Sequence, residues 1–140
     1  MISRKLLIAL AIAMLSVTTL WAGQWTALGP DGGDVRSLGF DPQNPDRIYL
    51  GTSTGTLFLS SDGGHNWSRL AHLGDDDNVL DHIAIDPQNP KHIFVSAWSV
   101  VNQQAGDVYR SHDGGNNWEA LPGMHGKSVR AMAMSASDSK

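Results

Sequence analysis

Ser60-Ser61-Asp62-Gly63-Gly64-His65-Asn66-Trp67 returns 51 residues later as Ser111-His112-Asp113-Gly114-Gly115-Asn116-Asn117-Trp118, identical at Ser, Asp, both Gly, Asn and Trp. A second motif, Asp41-Pro42-Gln43-Asn44-Pro45, returns 45 residues later as Asp86-Pro87-Gln88-Asn89-Pro90. Two motifs recurring at one phase mean a chain assembled from copies of a single supersecondary unit, which buries its apolar faces only by stacking copy on copy. A period in the forties with turn signals at fixed phase points to propeller blades.

Between the turns lie short stretches rich in β-branched and aromatic residues, and nothing after residue 22 sustains a helical apolar period, so the chain reads as all-β. The first repeat predicts strands at Val35–Phe40, Arg47–Gly51, Thr56–Ser60 and Asn66–Leu70. The second predicts them at Val79–Ile85, His92–Trp98, Asp107–Ser111 and Asn117–Leu121. Four strands joined by tight turns make one antiparallel meander. Six extra residues around Val100–Ala105 account for the unequal motif spacings and belong in a loop on one rim.

The turns have physical causes. Proline fixes φ and offers no N–H to a ladder, while Asp and Asn bond their own backbone, so a strand must end at Asp-Pro-Gln-Asn-Pro. In the other motif the two glycines permit positive φ and the Asp carboxylate accepts backbone N–H bonds across the hairpin. The tryptophan is then expected to open the fourth strand as an apolar anchor.

Phase also interprets both ends. Gln24–Leu28 aligns with the strands that follow Trp67 and Trp118, and reads as an orphan outer strand, with 23–33 forming that strand and its lead-in. Residues 34–70 and 78–121 are complete blades, and 128–140 begin another, because Val129–Met134 aligns with Val35–Phe40. Two blades and two stray strands cannot close a ring of roughly four to eight blades. The expectation is an incomplete propeller, the N-terminal piece of a longer protein, that further C-terminal blades complete.

Arg4 and Lys5, the apolar run Leu6–Leu20 and the small residue Ala22 have the layout of a secretory signal peptide over 1–22. The run is shorter than the ~20 residues that span a bilayer, which favours a cleaved leader over an anchor and an exported protein with no membrane contact after cleavage. Export without a single cysteine excludes a disulfide framework. Without Arg4 and Lys5, 8 basic residues stand against 14 acidic ones. That balance argues against nucleic acid as a partner.

Ser-x-Asp-x-Gly-x-x-Trp, in two copies at matching phase, resembles the Asp-box (BNR) repeat of β-propellers found in sialidases, sortilin-type receptors, xyloglucanase-type glycoside hydrolases and photosystem II assembly factor-like proteins. The resemblance covers 24–140 and implies a structural role for Ser60, Asp62, Gly63, Gly64 and Trp67 and for Ser111, Asp113, Gly114, Gly115 and Trp118. In the xyloglucanase-type family a catalytic aspartate stands where this chain has Ser53, and that departure counts against activity here.

A glycosidase needs two carboxyl groups roughly 5–10 Å apart. Asp81, Asp107 and Glu119, the acids not assigned to turns or to the Asp75–Asp77 run, show no pairing in their spacing, so no catalytic residue is assigned. Arg36 and Arg130 share one position on successive innermost strands and are candidate channel-facing residues. Tyr49 and Tyr109 sit among alternating apolar neighbours and read as blade packing. The six histidines form no His-x-x-x-His pair, so neither a metal nor a cofactor is expected. The reading is an exported, non-enzymatic propeller module that binds a protein or a glycan, similar to photosystem II assembly factor-like and other bacterial BNR-repeat proteins; the alternative is the N-terminal part of a secreted glycoside hydrolase, xyloglucanase-type or sialidase-like, whose acids lie beyond residue 140. Mass spectrometry of exported material should find a mature chain beginning near Gly23; an intact Met1 would overturn the cleavage assignment.

Overall fold

The structure, a computed structural model, describes residues 26–30, 34–102 and 104–137. The signal segment 1–22 and Gln24 and Trp25 of the expected orphan strand lie outside the described residues. The all-β expectation holds: β1 (Val35–Phe40), β2 (Ile48–Thr52), β3 (Thr56–Ser60) and β4 (Ser68–His72) form one antiparallel meander in that spatial order. A second, in the same order, consists of β5 (Asn78–Ile85), β6 (Ile93–Ser99), β7 (Gly106–Ser111) and β8 (Glu119–Ala120). These are two propeller-type blades. The described residues include no helix, and so none long and apolar enough to cross a membrane.

Side-chain acceptors set where the strands stop. The Asp41 Oδ1 accepts from Gln43 N at 2.8 Å and Asn44 N at 3.2 Å, and Asp86 repeats both bonds to Gln88 and Asn89 at the same distances. Such bonds fold the backbone back before the ladder can continue. The fourth strands begin later than the sequence suggests. Asn66 and Asn117 give their N–H groups to Asp62 and Asp113 at 2.9 Å, and the indoles of Trp67 and Trp118 donate to Gly64 O at 3.0 Å and Gly115 O at 2.9 Å. Both tryptophans therefore belong to the turn rather than to the strand. The last strand is also cut short: after Leu121 N donates to Val108 O at 2.8 Å, Pro122 has no N–H to continue the ladder.

The described parts of the two end segments lie outside the sheets. Residues 26–28 are not in a sheet, and the carbonyl of Leu28 instead accepts from the Trp67 indole. No third strand lies beside them among the described residues, so a fourth has nothing to pair with. Val129–Met134 likewise has no ladder. The Gln43 Nε2 reaches Pro87 O at 3.1 Å and Gln88 O at 3.3 Å, and Gln88 Nε2 reaches Ala136 O at 3.4 Å and Ser137 O at 2.9 Å. Ser135 Oγ accepts from Ser137 N at 3.3 Å, as Asp41 and Asp86 do in their turns. Gln88 thus makes toward residues 136–137 the reach that Gln43 makes toward residues 87–88.

The core is the seam between the sheets, where Tyr49 and Leu57 of the first blade pack with Leu80, Ile83, Ile93, Val95 and Ala97 of the second. β5 lies against β1 and β2, and Ser37 Oγ donates to Leu80 O at 2.6 Å. Glycine makes this approach possible. A Cβ on Gly39 would come 2.6 Å from Ile83 Cγ2, and one on Gly51 would come 2.5 Å from Ser37 Oγ and 2.9 Å from Leu80 O. On the opposite face of β1, Leu38 and Phe40 are exposed, although their counterparts Ile83 and Ile85, 45 residues on, belong to the seam. Gly51→Ala should destabilise the chain by about 1–3 kcal/mol, because a backbone carbonyl cannot move aside. Gly29→Ala, with open space around it, is the control; urea unfolding of both variants checks the pair.

Candidate functional site

Each blade has two ends, and the repeats treat them differently. At one end the β3–β4 turn abuts the β1–β2 turn, through Gly63 N to Asp46 O at 2.9 Å, and the second blade repeats this through Gly114 N to Lys91 O at 3.0 Å. Both Ser-x-Asp-Gly-Gly turns close by one scheme. Ser60 Oγ donates to Asp62 Oδ1 at 2.8 Å and accepts from Gly64 N at 2.9 Å, while Asn66 Nδ2 donates to Asp62 Oδ2 at 2.6 Å. The Ser111–Asp113–Asn117 set repeats the three bonds at 2.8, 2.8 and 2.6 Å. Gly63 and Gly64 take φ of 71° and 91°, and Gly114 and Gly115 take 76° and 97°, where other residues are strained.

Those bonds fix the charge state. The Asn66 amide first, then its backbone N–H and the Ser60 hydroxyl, hold the Asp62 carboxyl down at about 2 against an ordinary 3.8. Asn117 and Ser111 hold Asp113 at about 2 in the same way. An acid committed to its own turn at both oxygens is a poor proton carrier. The second turn also joins the seam: Gly114 O accepts from Arg47 Nη2 at 3.0 Å and from Tyr49 OH at 3.4 Å. A Cβ on Gly115 would strike Leu70 Cδ2 at 2.7 Å.

At the opposite end the blades diverge. Here the β4–β5 connection meets the β2–β3 connection, through Gly55 N to Asn78 O at 2.6 Å and Leu73 N to Gly55 O at 2.8 Å. The second blade carries the longer connection 100–105. The Ser99 hydroxyl ties it down, accepting from Val101 N at 3.1 Å and Asn102 N at 2.9 Å and donating to Asp77. On this rim Trp98 donates its indole N–H to Asp81 Oδ2 at 3.0 Å, and the Arg130 guanidinium lies 3.7 Å from the centre of the Trp98 ring. A cation over an indole face is attracted by the ring quadrupole.

Beside this group Asp75, Asn78, Asp107, Tyr109 and His125 line a cavity of about 430 Å³. His125 Nδ1 stands 3.1 Å from Asp107 Oδ2, while Asp107 Oδ1 is buried without a partner. Burial pushes the Tyr109 hydroxyl above its ordinary value, and the charges of Asp107 and Asp75 add to the rise.

The sequence candidates are thus spread over both ends. Arg36 pairs with Asp34 at 3.8 Å on an exposed part of the first blade, and Arg130 is engaged by Trp98. The Glu119 carboxylate is gripped by Arg110 at 2.6 Å, which holds it below its usual range. Tyr49 packs in the seam as expected. Tyr109, taken as packing only, also lines the rim cavity. Trp98, Asn78 and the His125–Asp107 pair went unnoticed in the sequence. The 45-residue offset aligns Arg36 with Asp81 and Ser53 with Trp98, and that signal alone pointed toward the group around Trp98. Among the described residues no three His, Cys, Asp or Glu side chains gather closely enough to hold a metal ion.

No family model matches the chain. A probable oligoxyloglucan-reducing end-specific xyloglucanase of Neosartorya fischeri is 30% identical over 99 residues, which span 69% of this chain and 11% of that protein. The crystal structure of an ancestral GH74 enzyme superposes with a TM-score of 0.57 at 23% identity, over 69% of this chain and 14% of the other. That of the GH74 xyloglucanase from Xanthomonas campestris gives a TM-score of 0.32 at 19% identity, over 72% of this chain and 22% of the other. The fold is that of propeller blades, and the chain spans a small part of the length of the curated protein it matches.

The two low carboxyl pKa values set a pH window. Both lie below the unfolded value, so the stability they contribute is fully present above about pH 4 and is lost as pH falls through about 2. Thermal melts between pH 5 and pH 2 should show a steepening loss in the parent chain. The slope should be shallower in the Asp62→Asn, Asp113→Asn double variant.

Proposed function

We propose that this chain is a blade pair of an exported, xyloglucanase-type propeller protein that engages a glycan on the rim carrying Trp98, Asp107 and Tyr109. The observation that supports this is the 30% identity with a probable xyloglucanase over 99 residues, a stretch as long as two repeats. In this reading the repeated turns are Asp-boxes, structural devices at the far end, and the leader 1–22 exports the protein. Arg36, Asp81 and Arg130 share one position in successive repeats and line a central channel that further blades complete.

Glycoside hydrolysis needs an acid and a second carboxylate held at fixed separation. Within these blades most of the acids have other partners: Asp62 and Asp113 in their turns, Glu119 with Arg110, Asp81 with Trp98, Asp77 with Ser99 and Asp107 with His125. In the proposed hydrolase the two blades therefore hold substrate, and the catalytic acids stand on other blades. Ser53 favours a second reading, a propeller that binds glycan without cleaving it, since serine cannot act as the carboxylic acid the resemblance places there.

Incubating the full-length propeller protein, with the blades that carry its acids, with xyloglucan oligosaccharides separates the two. Release of new reducing ends supports the hydrolase, saturable binding without release supports the binder, and neither binding nor release removes both. Asp62→Ala and Asp113→Ala should lower thermal stability and leave activity or binding per folded molecule unchanged; loss of function in a normally melting variant would make the turns functional.

A further inference from the structure

The rim cavity between the blades contains polar groups that the fold leaves unused. Asn78 is 7% exposed, and while its backbone N–H and C=O are both bonded, its side-chain amide makes no hydrogen bond with any described residue. That amide, at the wall of the cavity, is free to pair with a ligand, and Asp107 Oδ1 beside it is buried with no partner. The Asn78 Nδ2 stands beside Gly74, where a Cβ would come within 2.2 Å of it and within 3.1 Å of Tyr109 OH. Both groups thus converge on one bare stretch of backbone in the cavity wall. The Tyr109 hydroxyl has no hydrogen-bond partner among the described residues either.

The surroundings restrict what fits. Among the described residues no lysine or arginine lines the cavity, and Asp75 and Asp107 both do, so an anion would be repelled. Asp107 already faces His125, which leaves no converging set of carboxylates for a cation. An amide, a phenol and carboxylate acceptors match a ligand carrying several neutral hydroxyl groups, each able to give and accept a hydrogen bond. The volume of about 430 Å³ falls in the roughly 300–1,000 Å³ range of small-ligand sites. The longer connection, residues 100–105, forms part of the wall through Asn102 and Gln104, and the first blade, with only 53–55 at that place, has no equivalent.

We infer that this cavity binds one unit of a neutral sugar chain, with the Asn78 amide and the Tyr109 hydroxyl bonding its hydroxyl groups. The inference rests on the glycan reading above and adds the place and the groups. Isothermal titration of the full chain with a xyloglucan heptasaccharide tests it, beside titrations with putrescine and with a galacturonate oligomer. Tyr109→Phe should weaken heptasaccharide binding about fivefold to tenfold, the worth of one hydrogen bond. Its melting temperature should stay unchanged, because no bond within the fold is removed, and Asn78→Ala should weaken binding at least as much. Heptasaccharide binding that is equal in parent and both variants would overturn the cavity assignment and leave the glycan reading standing. No binding of heptasaccharide by the parent would remove both. Putrescine or galacturonate bound more tightly than the heptasaccharide, and weakened by Tyr109→Phe, would overturn the ligand class.

Discussion

Two sheets can share a core here because two residues on the first have no side chain. Gly39 and Gly51 let β5 come close enough for Ser37 to reach the Leu80 carbonyl, and that approach brings Tyr49 and Leu57 against Ile83, Val95 and Ala97. Burial at this seam is the main favourable term available to a chain without disulfides. Polar groups then set the docking angle. Arg47 and Tyr49 hold the Gly114 carbonyl at one end of the seam, and Gly55 and Asn78 are joined at the other.

The division of labour between the two rims follows from the repeats. Where the Asp-Pro and Asp-Gly-Gly turns meet, the blades share the bonds that close each turn, as a surface must if each copy is to dock on the next in the same way. At the other rim that demand is relaxed. The 53–55 connection is short, 100–105 is longer, and position 53 holds a serine where position 98 holds a tryptophan. Chemistry has room to vary there because the fold is maintained elsewhere.

How much of this was legible in the sequence tracks how local each cause is. Six of the eight expected strands match within one residue at each end, because Asp41, Asp86 and the glycine pairs act on their own neighbours. Trp67 and Trp118 were misplaced by the same locality read one step short. Their indoles return to the turn carbonyls of Gly64 and Gly115, a side-chain bond that strand propensity does not register. Residues 26–28 and Val129–Met134 lie outside the sheets, because a strand is a relation between segments and pattern alone cannot supply the partner. At the rim, Asp107 and Tyr109 were visible as residues but not as neighbours of Asn78 and His125. Their proximity comes from blade docking and from the β7 register, with Asp107 opposite Ala97, and neither appears as a motif.

One side chain behaves as a ruler. Gln43 spans from its own turn to the backbone of Pro87 and Gln88 in the next, and Gln88 makes the same span to Ala136 and Ser137. A bond of fixed reach repeated from copy to copy sets an angular pitch, much as tooth spacing sets the size of a gear. In a ring-forming fold, pitch decides how many members go round before the last meets the first. The length of an exposed glutamine, invisible to any inspection of the core, thereby bears on how many such copies a closed ring would hold.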